Sequence, residues 1–210
     1  MQEFVGSCKE CGKQIYCNEG FLAGIVMEDK SVICLDCSDQ RSTAYPIGTF
    51  QAPSEVTSER FLSWKTELIS LPKRLNDIVG SATNVELETA YRTGGWTAKQ
   101  VVHHMADAMM HGYIHFKLAL TEENPTIKPY DEHGWTDQED ERNRSIDVSI
   151  RLLQSIMGRW EALLASMDKT DFAKTFVHPL SGQKRLDQYL GFCLWHGNHH
   201  LAQIASVCKK

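Results

Sequence analysis

The sequence predicts a mainly α protein, a four-helix bundle preceded by a small β module built around cysteines. Three observations carry that prediction. Five of the seven cysteines fall within the first 37 residues, four of them in two CxxC pairs. After Ser58, long stretches place apolar residues at intervals of three and four, the period of an amphipathic helix. Between these regions, residues 38 to 58 are polar, carry Pro46 and Pro53, and keep no period. The expected domains are 1–43, the cysteine module, and 44–210, the bundle. A chain of 210 residues is long enough for one full core with a small appendage.

In the first module, β-prone pieces such as GFLAGIVMED and KSVICLDC are punctuated by glycines and CxxC pairs. Cys8 and Cys11, then 22 residues, then Cys34 and Cys37 give the paired-knuckle spacing of a zinc ribbon. Gly12 is expected to permit the tight turn around a thiolate. Four thiolates close a tetrahedral shell, so these cysteines are expected to hold a structural zinc. Its binding would supply folding free energy that about 35 residues hardly obtain from a core. Cys17 stands outside both pairs and reads as a free thiol.

Charge excludes some partners. A net charge of -5 gives no attraction to phosphate backbones or anionic lipid, and the module has no basic stripe. The longest apolar run, Phe21 to Met27, is far short of a membrane span of about 20 residues. The N-terminal residues lack the basic and apolar regions of a secretory signal, and clustered cysteines point to metal rather than disulfides. The expected location is the cytoplasm.

In the first helical segment Phe61, Trp64, Leu68, Leu71, Leu75 and Ile78 share a stripe, with a kink expected at Pro72. The second opens at Thr97 with Gln100 three residues on, a capping-box signature, and runs to about Leu120. The third runs from about Ser145 to Met167 along Ile146, Ile150, Leu153, Ile156, Trp160 and Leu164, and the fourth from about Leu186 to Val207. Such segments fit an up-and-down or related four-helix bundle. The connection from Thr121 to Arg144 is long, rich in carboxylates and a candidate lid.

His196 and His200 lie four residues apart, about 400° of rotation, so one metal reaches both. Position 197 is Gly, so the HExxH pattern of metalloproteases is absent. In the second helix His103 points about 100° away from His104, whereas His104 and His111 share a face. Spacing leaves both as candidates for a third ligand. Cys193 shares the face of the pair, where a cysteine commonly serves as a small hydrophobe. A helical histidine can equally be a hydrogen-bonded core residue.

The segment YRTGGWTAKQVVHHMADAMMHGYIHFKLALTEENPTIKPYDEHGW resembles the DinB/YfiT-like proteins, described as metal-dependent hydrolases. The resemblance continues in YPIGTF at Tyr45 to Phe50, in the HP pair at His178 and Pro179, and in LWHGNHHLAQI, so it covers Tyr45 to the C-terminus. It implies a four-helix bundle in which the second histidine of the VVHHxAD motif and two histidines four apart in the last helix hold the metal. Those positions are His104, His196 and His200. Relatives carry a further histidine where this chain has Gln203, which leaves the three matched positions untouched.

Three neutral imidazoles leave a dication uncompensated and one coordination position open, the pattern of a catalytic site for zinc or nickel. Such a metal lowers the pKa of bound water and deprotonates a bound thiol. The resemblance also implies thiol S-transferases that join a low-molecular-weight thiol, bacillithiol in some members, to electrophiles. The expected partners are therefore a small thiol and an electrophile, or a small hydrolysable substrate, and homodimers are common among relatives. Asp107 and Gln100, on the His104 side of the helix, are candidates to orient a ring or take a proton. The competing reading is a non-catalytic metal-binding stress protein whose ribbon recruits a partner.

Overall fold

The computed structural model describes residues 2–18, 21–22, 24–27 and 29–208. They form two compact units, a small one of residues up to Gly48 together with Arg92–Gly94, and a large one of Thr49–Tyr91 and the residues from Gly95 on.

In the small unit, strands β1 (Gln2–Ser7), β2 (Gln14–Asn18) and β3 (Phe21–Leu22) make an antiparallel sheet in that order. Strands β4 (Gly24–Val26) and β5 (Val32–Cys34) pair as a hairpin. Gly20, Ala23 and Glu28 of the GFLAGIVMED segment lie outside the described residues. The stretch that reads as a polar linker begins instead with helix α1 (Leu35–Ala44), directly after β5. Among the described residues its buried core is Cys8, Ile15, Ile33 and Cys34. Half of that core is cysteine, and so few apolar side chains stabilise a fold weakly on their own.

In the large unit the first helical stretch is two helices, α2 (Ser58–Ile69) and α3 (Leu71–Val79). They meet at Ser70, whose φ of -75° and ψ of -12° stay in the right-handed region, so the chain bends without reversing. Pro72 causes the break, because it has no N–H to donate and its ring crowds the carbonyl four residues back. After α4 (Asn84–Leu87), helix α5 (Ala98–Thr121) opens on the expected capping box, with Thr97 Oγ1 accepting from Gln100 N and Gln100 Oε1 from Thr97 N. Short helices α6 (Glu132–Thr136) and α7 (Glu139–Asn143) occupy the long connection. Helix α8 (Ile146–Ser166) starts at the Ser145 cap. Then follow α9 (Lys169–Phe172), the hairpin of β6 (Thr175–His178) and β7 (Gly182–Arg185), and α10 (Leu186–Val207).

The bundle is of the related rather than the simple up-and-down kind. Helix α5 packs between α8 and α10, and α2 with α3 packs between α10 and α8 on the opposite side. Contacts along α5 fix the directions. His103 meets Ser149 and Phe116 meets Trp160, so α5 and α8 run parallel. His104 faces His200 whereas His115 faces Tyr189, so α5 and α10 run antiparallel. A parallel neighbour has to be reached by a return along the whole helix, about 36 Å for the 24 residues of α5. The long connection is that return.

Helix α5 approaches α8 and α10 closely at Gly112. A Cβ there would lie 2.8 Å from Trp160 Cη2 and 3.2 Å from Cys193 Sγ, and Trp160 is fully buried with no room to move. Gly112→Ala is therefore expected to destabilise the large unit by about 1–3 kcal/mol, read as a lower urea midpoint at unchanged slope.

Candidate metal centre

Consecutive helical residues point about 100° apart, and α5 uses that angle to divide its histidines. His103 turns to α8, where Nδ1 lies 2.7 Å from Ser149 Oγ. His104 turns to α10 and meets His196 and His200. His111, the other candidate left by spacing, stacks instead on the Tyr130 ring at 4.1 Å and 5°. His115 lies 2.9 Å from Tyr189 Oη.

Nε2 of His196 lies 3.1 Å from Nε2 of His200 and 3.5 Å from Nε2 of His104, and the donor atoms of all three fall within 4.8 Å of one another. A tetrahedral ion about 2.0–2.1 Å from each nitrogen would set them about 3.3 Å apart, so the spacing fits a metal. The protonation pattern fits too. Gln203, 2% exposed, sets Oε1 2.8 Å from His200 Nδ1 and Nε2 2.9 Å from His199 Nε2. An amide oxygen only accepts, so His200 Nδ1 carries the proton and its Nε2 lone pair is free to face the centre. Tyr130 Oη stands 3.4 Å from His104 Nδ1, and the Trp96 ring lies 4.7 Å from the His104 ring. Burial holds all three histidines neutral, His104 and His200 well below their ordinary value and His196 down to about 3.

Beside His196 opens a cavity of 710 Å³, lined along α10 by Tyr189, Phe192 and Trp195 and from α5 by Met109 and His111. Cys193 also lines it, but burial pushes its thiol up to about 12, and it is not part of the histidine group.

The two residues expected to assist are placed differently. The Gln100 amide oxygen is engaged by the helix cap. Asp107 has no hydrogen bond to a ligand ring among the described residues. It belongs to a carboxylate group with Asp140 and Glu141: burial, then Asp140, pushes Asp107 up to about 6. Burial, then Asp107 and Asp140, pushes Glu141 up to about 7. Tyr130, Trp96 and Glu141 carry no signal in the sequence that assigns them to the site. The first lies in the long connection, where no helical period assigns a facing direction.

In the small unit the sulfurs of Cys8, Cys11, Cys34 and Cys37 also lie within 4.8 Å of one another. Cys11 Sγ and Cys34 Sγ are 3.8 Å apart, the separation that zinc–sulfur bonds of about 2.3 Å give at a tetrahedral angle. Gly12 takes the expected turn with φ of +73° and donates to Cys8 O at 2.8 Å. The backbone N–H of Cys34, followed by those of Cys11 and Glu10, holds the Cys8 thiol down at about 6, while the neighbouring cysteines drive Cys37 up. The chain thus places several N–H donors on one sulfur, which favours a thiolate ready to bind a cation. Cys17 sits on β2, paired between Glu3 and Leu22, outside this group. No helix among the described residues is long and apolar enough to cross a membrane.

The profile of the DinB superfamily matches residues 67–204. A protein of Oceanobacillus iheyensis named "Putative metal-dependent hydrolase OB0782" is 46% identical over 166 residues, which cover 79% of this chain and 96% of that protein. A Bacillus cereus protein with the name "Putative metal-dependent hydrolase" is 45% identical over 166 residues, 79% of this chain and 95% of its own. Among solved structures, YfiT from Bacillus subtilis, described as "a probable metal-dependent hydrolase with an unusual four-helix bundle topology", superposes with a TM-score of 0.77 at 40% identity, covering 79% of this chain and 95% of that one.

The carboxylate group gives a pH prediction. The folded chain keeps the Glu141 proton up to about pH 7, against 4.5 for an ordinary glutamate, so stability falls as pH rises through that interval. Glu141→Gln is expected to raise the thermal midpoint by a few degrees at pH 8 and to leave it nearly unchanged at pH 4.5, as read by circular dichroism.

Proposed function

The chain belongs to the DinB superfamily, and from that footing we propose that it is a metal-dependent enzyme whose three histidines hold zinc or nickel beside a small-molecule cavity. The single observation that carries the reading is the convergence of three neutral imidazole nitrogens, at 3.1 and 3.5 Å, where the cavity begins. When bound, the ion supplies Lewis acidity that makes a water or a thiol nucleophilic at neutral pH.

The protein's own residues account for the rest. Gln203 keeps the His200 proton on the far nitrogen, and the Tyr130 hydroxyl stands 3.4 Å behind His104 Nδ1. Both supports are uncharged, as are the three ligands, so the dication would keep its full attraction for an anionic nucleophile. The finer reading is a thiol S-transferase that joins a low-molecular-weight thiol to an electrophile. Hydrolysis of a small substrate, the activity in the relatives' names, is the coarser reading of the same site. The four cysteines are proposed to hold a structural zinc, since they leave no open position.

Protein purified without a histidine tag is expected to carry metal at both groups. His200→Ala should lose the bundle metal and keep the cysteine-bound one, by elemental analysis. Equal metal in the two proteins overturns the site. With metal restored, a panel of thiols and monochlorobimane should give metal-dependent conjugation, falling at least 100-fold in His200→Ala. Ester or amide turnover without conjugation assigns hydrolysis. Metal binding without either activity assigns the non-catalytic reading.

A further inference from the structure

The cavity beside His196 has walls whose chemistry goes beyond holding the histidines. Its 710 Å³ lies within the roughly 300–1,000 Å³ of small-molecule sites. Several polar groups along it are satisfied inside the protein, whereas Glu132 has no hydrogen bond among the described residues and His111 Nε2 and Trp195 Nε1 are buried without a partner there. His115 Nδ1 lies 2.9 Å from Tyr189 Oη, and Gln188 Nε2 donates to Pro53 O at 2.8 Å. Arg185 forks onto Asp187 at 2.8 and 2.6 Å, and Lys184 Nζ donates to Ser181 O at 2.7 Å. A polar ligand would have to compete with each of these pairs.

Next to His196 the wall is aromatic carbon. Phe50, Phe192 and Trp195 form a triangle of rings with centroid separations of 5.8, 6.3 and 5.8 Å. Tyr189 extends it, stacked on Phe192 at 5.6 Å and 16°. The Phe192 ring is 6.0 Å from the His196 ring. Phe50, Phe192 and Trp195 are each only half-buried, so ring surface is left for a ligand. Three aromatic side chains on the rim of a cavity are poorly placed in water and well placed against another ring.

We propose that this cavity selects a flat aromatic molecule, held on the Phe192–Trp195 wall beside the histidine centre, as the electrophilic or hydrolysable reactant. The inference rests on the proposed enzymatic role for its meaning but not for its test, because the wall binds a ring with or without metal. Phe192 and Trp195 are then the residues that determine specificity, and aliphatic compounds of similar size are the excluded class.

The probe is 5-fluoroindole, followed by 19F NMR line broadening and calorimetry on the full chain treated with a chelator that strips the histidine centre. Saturable binding is expected, at least tenfold weaker in Phe192→Ala and at least threefold weaker in Phe192→Leu, which keeps apolar bulk but loses the ring face. His200→Ala should bind within twofold of wild type, which separates the wall from the metal centre. Cyclohexanol should compete at least tenfold less well. Non-saturable binding, an affinity unchanged by Phe192→Ala in a folded variant, or equal competition by cyclohexanol would overturn the proposal, whatever the metal assays show.

Discussion

The parallel packing of α5 against α8 sets the terms for the rest of the large unit. Gly112 lets α5 close on Trp160, and the ladder from His103–Ser149 to Phe116–Trp160 fixes both helices in one direction. Because the neighbours are parallel, the chain has to travel back along α5 before α8 can begin. That return brings Tyr130 over the helix, where its ring covers His111 and its hydroxyl stands behind His104. A hairpin connection, sufficient for antiparallel neighbours, would leave His111 without the ring stacked on it and His104 without the hydroxyl behind it.

Burial and hydrogen bonding then act on the histidines in the same direction. Desolvation removes their protons, and Gln203 decides which nitrogen of His200 keeps the remaining one. A carboxylate in that place would bind more firmly and add negative charge. The amide orients without charge, and the carboxylates of Glu132, then Asp107 and Glu141, act on Tyr130, with no hydrogen bond to a ligand ring among the described residues. The centre is thus shaped to stay electron-poor.

Much of this was legible in the residues. Apolar period placed α5, α8 and α10 to within a residue or two, helped in α5 and α8 by the Thr97 and Ser145 side chains that close their first turns, whereas α10 begins without a side-chain cap. The i, i+4 pair of His196 and His200 was equally plain. The choice between His104 and His111 was not, since helix phase puts both on one face and only the crossing position of α10 separates them. Tyr130 and Trp96 were illegible for a related reason: their segments have no period, so their direction is set by tertiary contact alone. Gln100 carries two readings in the sequence, a cap and a group beside His104, and its amide oxygen serves the cap. Residues 38–44 read as linker because they are polar and keep no apolar period, yet they continue a short helix that starts within the second cysteine pair.

All three histidine nitrogens are delivered by α5 and α10, an antiparallel pair, whereas α2, α3 and α8 contribute none. The chemistry is therefore written on half of the bundle. The other half is free to drift in sequence so long as it fills space behind that pair, and an unrelated scaffold with two antiparallel helices at the same crossing could receive the whole donor set by transplanting two short helical stretches.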